Sequence, residues 1–200
     1  MSGCIIRLFL LFSHSQISSF IGQNTLAMTD FLSLATSRYS QRNYDASRVV
    51  AKETLLRVLE SGRMAPSASN RQPWKILVVQ SEEVLNQLQK AYAAPWFREV
   101  NTVLVVKGYP EQAWIRSVDG YNAIETDLTI LMDHLVLAAH AEGLSTCWIA
   151  AFDPNIMQQA LALKDDEVVF AMTPIGYFPD GKPVVRQKSR KPLDEIVEWM

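Results

Sequence analysis

"MAPSASNRQPWKILVV" runs from Met64 to Val79. A run of turn formers, Pro66-Ser67-Ala68-Ser69-Asn70, passes through Gln72-Pro73-Trp74 into an apolar, strand-like run. Serine and asparagine bond to nearby backbone, and proline presets the turn angle. Just upstream, "ASRVVAKETLLRVLESGRMA" carries Leu55, Leu56, Val58 and Leu59 at helical spacing and ends near Gly62. The local order is therefore helix, turn, strand. A dinucleotide-binding Rossmann unit needs the reverse, a strand and then a Gly-rich turn opening a helix. No G-x-G-x-x-G stands in such a place.

Thr29 to Arg38 reads as a short helix with Phe31, Leu32, Leu34 and Ala35 on its apolar side. "KILVVQ" reads as a buried strand, and Ser81 as the cap of a helix through Lys90, with Glu82 and Glu83 in its first turn. "TVLVVKGY" is a second strand. Ala123 to Glu142 is a long helix with Leu128, Leu131, Leu135, Ala138 and Ala139 inward and Gly143 as its stop. "TCWIAAF" is a short apolar segment, Asp153-Pro154 starts a helix to Leu163, and "EVVFAMTPIGYF" is a third strand. The tail from Val184 to Met200 is basic and then apolar. Helices and strands mix without strict alternation. The expected class is α+β: a central mixed, mainly antiparallel sheet flanked by helices on both faces.

With 200 residues, 48% hydrophobic and 20% charged, the chain suits one domain with a real core. Residues 1–28 are apolar and Ser-rich with one Arg and no acid. Their apolar run, Leu8 to Phe12, is too short to span a bilayer, and Ser13-His14-Ser15 interrupts the weak likeness to an export signal. The expectation is a non-core extension over 1–28, with Met28 the natural start, ahead of a single domain over 29–200. A net charge of -2 gives no reason to expect nucleic acid, and nothing calls for a membrane. Two cysteines, Cys4 and Cys147, make neither a disulfide framework nor a structural zinc site. That suits a reducing compartment, and the expected location is cytoplasmic.

Four segments could carry chemistry. In "SRYSQRNYD", Arg38, Ser40 and Arg42 alternate, so an extended chain puts two guanidinium groups and a hydroxyl on one side, as a phosphate requires. A solvated loop is the plainer reading. In "RQKSRKPLDEI", Lys188 and Arg190 alternate likewise, or form an ordinary surface charge run. In the opening stretch, Asn70 offers donor and acceptor together, matching the pyrimidine edge of a flavin or any imide, or simply a turn. "GLSTCWIAAFDP" sets Ala150 and Ala151 beside Trp148 and Ile149, so backbone N–H groups could approach a planar ligand; a buried core strand fits equally. His14, His134 and His140 lack partners at metal spacing, and Cys147 reads as a core thiol. No nucleophile motif or P-loop is present, so an enzyme of this sequence would rely on a cofactor.

Taken in order over roughly Asp30 to Val197, the four segments resemble the nitroreductase family of FMN-dependent oxidoreductases. "SRYSQRNYD" is similar to its Arg-x-Ser-x-Arg/Lys start and "APSASNRQPW" to its Pro-Ser-x-x-Asn-x-Gln-Pro-Trp stretch. "GLSTCWIAAFDP" is similar to its Gly-Leu-x-Thr-Cys-Trp-Ile-Gly-x-Phe-Asp segment, and "KSRKPLDEI" to its basic C-terminal clamp. The resemblance implies a homodimer with intertwined termini and two FMN sites at the interface. Arg38, Tyr39, Ser40, Lys188 and Arg190 would hold the phosphate end, with Arg42 near the phosphate or the flavin N1/O2 edge. Pro66, Ser67, Ala68 and Asn70 of the partner chain would border the ring. Trp148, Ile149 and Ala150 would lie on its other side, with backbone N–H groups near N5 or O4. The implied reaction is ping-pong hydride transfer from NAD(P)H, through flavin N5, to an electron-poor small molecule such as a nitroaromatic or quinone. Another reaction on the same fold (dehalogenation, enone reduction, flavin fragmentation) and a non-catalytic FMN-binding protein are the alternatives. Two departures stand out: Ala150 where the family often has Gly, and Tyr121 where a compact branch often has Lys. The segment holding Trp114, Arg116 and Tyr121 would border the substrate opening or be a plain helix-flanking loop.

Overall fold

The structure, a computed structural model, describes residues 30–181, 183 and 186–200. The expected extension over 1–28, with Cys4 and His14, lies outside the described residues.

Among the described residues there are five α-helices: α1 Phe31–Ser37, α2 Lys52–Arg63, α3 Glu82–Ala91, α4 Ile124–Ala141 and α5 Pro154–Ala160. Four strands, β1 Trp74–Val79, β2 Val103–Gly108, β3 Ser145–Thr146 and β4 Val168–Gly176, form a sheet in the order β1-β2-β4-β3. Every pairing between these strands is antiparallel. The parallel component is one bridge, Ser40 to Thr146. The architecture is α+β, as the pattern of elements predicts.

Val103, Leu104, Val105 and Val106 of β2 are all fully buried, because helices cover both faces of the sheet. Leu104 and Val106 join Ala171 and Ile175 against Leu55 and Val58 of α2 and Leu128, Leu131 and Leu135 of α4. Val103 and Val105 join Met172 against Leu85 and Leu88 of α3, Met157 of α5 and Phe97. The long helix α4 thus lies along one face of the sheet.

Three expectations change. "KILVVQ" is an edge strand rather than a buried one: β1 pairs only with β2, and only Val79 of it is buried. An apolar run has the same periodicity at the edge and at the centre of a sheet. Ser81 precedes α3 but its hydroxyl makes no cap bond, whereas the carboxylates of Asp30 and Asp153 do cap α1 and α5. Helix α5 stops at Ala160, short of Leu163, and Ala162 then turns into the left-handed region at φ 47°. The short apolar segment "TCWIAAF" opens on Thr146, the second residue of β3, and Ile149 pairs with Met172 as an isolated bridge.

Candidate cofactor site

Arg38 leaves the end of α1 in an extended conformation, φ -59° and ψ 129°. The following backbone is pinned on two sides. Gln41 N–H donates to the Thr146 carbonyl at 2.8 Å. The buried Tyr44 hydroxyl donates to the Gln41 carbonyl at 3.0 Å. Burial holds the Tyr44 phenol well above its ordinary pKa, with the neighbouring Cys147 adding to this and Arg42 opposing it. An open cleft of about 230 Å³ results, lined by Tyr39, Ser40, Gln41, Arg42, Asn43 and Arg186. The Arg186 guanidinium sits 5.8 Å from the centre of the Tyr39 ring.

The two basic segments converge. Lys188 donates to the Ala35 carbonyl, at the last turn of α1. Burial, and then the positive charges of Arg38 and Arg190, push the Lys188 ammonium below its usual pKa. Arg42 and Arg38 both flank the Cys147 thiol, whose pKa burial raises against their pull. Cys147 is buried, as expected of a core thiol. Arg190 is exposed and donates to its neighbour, the Ser189 carbonyl, at 2.7 Å. Among the described residues the ion pairs are Arg57–Glu142, Arg63–Glu60, Lys107–Glu167 and Arg116–Asp119. None of them neutralises Arg38, Arg42, Arg186, Lys188 or Arg190, which form a cationic cluster suited to an anion such as phosphate.

His140, in the last turn of α4, belongs to this neighbourhood. Its Nε2 lies 2.8 Å from Ser37 Oγ, and that hydroxyl lies 2.7 Å from the Ser33 carbonyl. The hydroxyl has one proton, which it gives to Ser33, so Nε2 is the donor to Ser37. Burial first, then Arg38 and Lys188, push the His140 pKa down. Both His140 and Arg186 escape a reading of motifs. Arg186 could have been found, since it alternates with Lys188 and Arg190. Helical periodicity says nothing of what His140 meets.

The stretch from Pro66 to Asn70 is elsewhere. Ser69, Asn70 and Gln72 all sit in the left-handed region, at φ 52°, 53° and 49°. Each such residue costs on the order of 1 kcal/mol or more, and clusters of them mark functional loops. Ser67 Oγ accepts from Gln72 N–H at 2.9 Å, and Asn70 Oδ1 from Gln72 Nε2 at 3.1 Å, so Asn70 keeps its amide donors. Pro66 and Asn70 are exposed. Ala68 N–H donates to Asp127 Oδ1 at 2.8 Å, which moors the turn to the first turn of α4. Asp127 and His140 are 13 positions apart (140 minus 127) on one continuous helix. At about 1.5 Å per residue, the turn and the cationic cluster are separated by roughly 20 Å along α4.

The third wall differs in one respect from expectation. Ile149 N–H is spent on the Met172 carbonyl at 2.9 Å and is not available to a ligand, because Ile149 bridges to β4 with its side chain in the core. Ala150 is exposed, and among the described residues its N–H makes no hydrogen bond. Trp148 packs edge-on against Phe170, centroids 5.9 Å apart.

Trp114 to Ala123 forms a small hairpin, closed by Arg116 N–H to the Tyr121 carbonyl and Ala123 N–H to the Trp114 carbonyl, both 2.9 Å. Arg116 pairs with Asp119 and lies 4.9 Å over the Tyr121 ring, whose hydroxyl meets Thr126 Oγ1. It leads directly into α4, at the same end as the moored turn. No helix among the described residues is long and apolar enough to cross a membrane. No group of three potential metal ligands occurs among them.

Comparison with known proteins gives a consistent picture. The model of the Nitroreductase family matches residues 35–177. A Bacillus subtilis protein, YdgI, provisionally named an NAD(P)H nitroreductase, is 28% identical over 85% of this chain and 97% of its own length. A crystal structure of a nitroreductase family protein from Clostridium difficile superposes with a TM-score of 0.75 at 34% identity, covering 85% of this chain and 98% of that one. A structure from Desulfovibrio desulfuricans, described as a nitroreductase in complex with FMN, superposes with a TM-score of 0.70 at 24% identity, covering 84% and 95%.

Proposed function

The chain belongs to the nitroreductase family, and from that premise we propose that it is an FMN-dependent NAD(P)H oxidoreductase acting as a homodimer. The observation that carries this reading is the convergence of Arg38, Arg42, Lys188 and Arg190 into a cationic cluster without a carboxylate partner among the described residues. Like charges held together depress one another's protonation, and a dianionic phosphate removes that cost. The relative's NAD(P)H name and the FMN held by the neighbour add to it.

Arg38, Ser40, Lys188 and Arg190 hold the FMN phosphate, with Tyr39 lining the same cleft. Arg186 and His140 extend that end of the site. Arg42, in the same cleft, stands toward the flavin N1/O2 edge. Pro66, Ser67, Ala68 and Asn70 form the wall against the ring. Trp148, Ile149 and Ala150 border its other side, with Ala150 N–H as the free donor. FMN, when bound, supplies hydride acceptance and donation at N5, so that NAD(P)H and an electron-poor acceptor of the nitroaromatic or quinone type react in turn by a ping-pong scheme. The chain's own task is to hold the ring at hydride distance and to bias its charge with Arg42.

Distance supports the dimer. Roughly 20 Å along α4 separates the wall at Asp127 from the cluster at His140, more than a ribityl chain of a few bonds can span. On this reading the ring wall at each site belongs to the second copy. The cleft of about 230 Å³ in one protomer is also smaller than the roughly 300–1,000 Å³ of an ordinary ligand pocket. The tail leaves Leu193, Ile196 and Trp199 exposed, and β1 has an edge unpaired among the described residues, which suits termini that wrap a partner. The scarcity of cysteine fits a reducing, cytoplasmic setting.

The experiment is an anaerobic titration of the FMN-loaded protein with NADH and NADPH. Bleaching of the visible flavin band followed by its return on adding nitroaromatic or quinone supports the reading. A protein that takes up no FMN, or whose flavin neither nucleotide bleaches, overturns it.

A further inference from the structure

We propose that Asp127 is a positioning residue: its buried carboxyl group sets the Pro66–Gln72 turn in the conformation that grips the flavin ring. The inference rests on the reading of that turn as a ring wall. Asp127 stands in the first turn of α4 and is 1% exposed. Its Oδ1 accepts from Ala68 N–H at 2.8 Å. Asn70 N–H to the Ser67 carbonyl, Arg71 N–H to the Ala68 carbonyl and Gln72 N–H to Ser67 Oγ stay within the turn, and Trp74 N–H to the Gln72 carbonyl, at 2.8 Å, reaches only the adjoining start of β1. They preserve its shape but not its place. Among the described residues the Asp127 bond is the one that ties residues 66–72 to an element distant in sequence, and it ties them to the longest helix of the fold.

Two features show that this carboxyl group is not an ordinary core polar group. Three residues just beyond the anchored N–H, Ser69, Asn70 and Gln72, are left-handed without being glycine, and such a conformation persists only where its surroundings impose it. The second oxygen, Oδ2, is buried and makes no hydrogen bond among the described residues. A buried polar atom left unpaired is destabilising, and its retention in this chain calls for a compensating use. Locking the strained turn provides that use. With Ala68 N–H held by Asp127, Ser67 and Asn70 are displayed at fixed positions, and Asn70 keeps its amide donors for the ring edge.

The test uses full-length protein saturated with FMN, and riboflavin as a probe that has the ring without the phosphate. Asp127→Ala should weaken riboflavin binding about tenfold or more. It should also strip most of the visible circular dichroism from bound FMN, because a ring that is tethered only by its phosphate no longer has a fixed environment. Asp127→Asn retains an acceptor for Ala68 N–H and should restore both signals to within about threefold of the parent. Ala68→Pro removes the N–H donor without touching the helix, and extended Ser67, φ -139° and ψ 157°, accepts a following proline. It should reproduce the Asp127→Ala pattern, and it decides the matter if Asp127→Ala does not fold. Arg38→Ala, at the phosphate end, should leave riboflavin affinity within twofold. Unchanged visible dichroism in Asp127→Ala, or in Ala68→Pro if the former does not fold, overturns the proposal, as does failure of Asp127→Asn to restore the signal. A parent protein that binds no FMN would instead sink the functional reading beneath it.

Discussion

Lys188 donates to the backbone carbonyl of Ala35 across 153 positions of sequence. The bond docks the basic tail onto the last turn of α1, next to Arg38, and so builds one site from both ends of the chain. It also places a cation at the negative end of a helix, where it is favoured. If the cluster binds phosphate, replacing Arg38 and Arg190 by Ala removes charge-assisted contacts worth about 1.5–3 kcal/mol each. The double variant should lose FMN on gel filtration while keeping its affinity for riboflavin.

His140 gives the cluster a pH dependence with a definite sign. Its pKa is lowered in the folded protein by burial and then by Arg38 and Lys188. Below the ordinary histidine value of about 6.5, the unfolded chain therefore binds more protons than the folded one. Flavin-free protein should become less stable as pH falls from about 7 to 5.5, and His140→Gln should flatten that slope. Bound FMN should shrink it too, since the phosphate offsets the two cations. Thermal midpoints at both pH values, with and without FMN, check this.

Gly108 closes β2 against α4. A Cβ there would lie 2.6 Å from Leu128 Cδ1 and 2.8 Å from Ile124 Cδ1. Both side chains belong to the packed core, which leaves them little room to move. Gly108→Ala should cost about 1–3 kcal/mol by overpacking, read as a lower denaturant midpoint with an unchanged m-value.

The tail exposes Leu193, Ile196 and Trp199, the last at 94%. Deleting residues 191–200 should shift the protein from dimer to monomer in sedimentation and release its FMN. Persistence of an FMN-loaded dimer would remove the tail from the interface.

Much of this was legible in the sequence, and what was not has a physical reason. The helical spacing of Leu128, Leu131 and Leu135 fixed the inward face of α4, and Gly143 its end. The alternation of Arg38, Ser40 and Arg42 pointed to a shared side, which the structure supports through the joint approach of Arg38 and Arg42 to Cys147. The edge position of β1 was hidden because pairing partners leave no mark on an apolar run. Ile149 N–H was expected to be free; a bridge to Met172, 23 positions away (172 minus 149), consumes it. Asp127 was passed over because one polar residue on an apolar helix does not announce a distant backbone partner. The left-handed turn at Ser69, Asn70 and Gln72 contains no glycine to signal it.

The proposal is that each flavin site combines the cationic cluster of one protomer with the strained turn of the other. It is tested most directly by co-expressing two differently tagged variants and isolating the mixed dimer. One carries Arg38→Ala and Arg190→Ala; the other carries Ser67→Ala and Asn70→Ala. Each variant on its own has every site impaired, whereas the mixed dimer has one site with both lesions and one with neither. The mixed dimer should retain one FMN that NADH or NADPH bleaches without oxygen, while neither parent variant does. A mixed dimer as empty as its parents would contradict it.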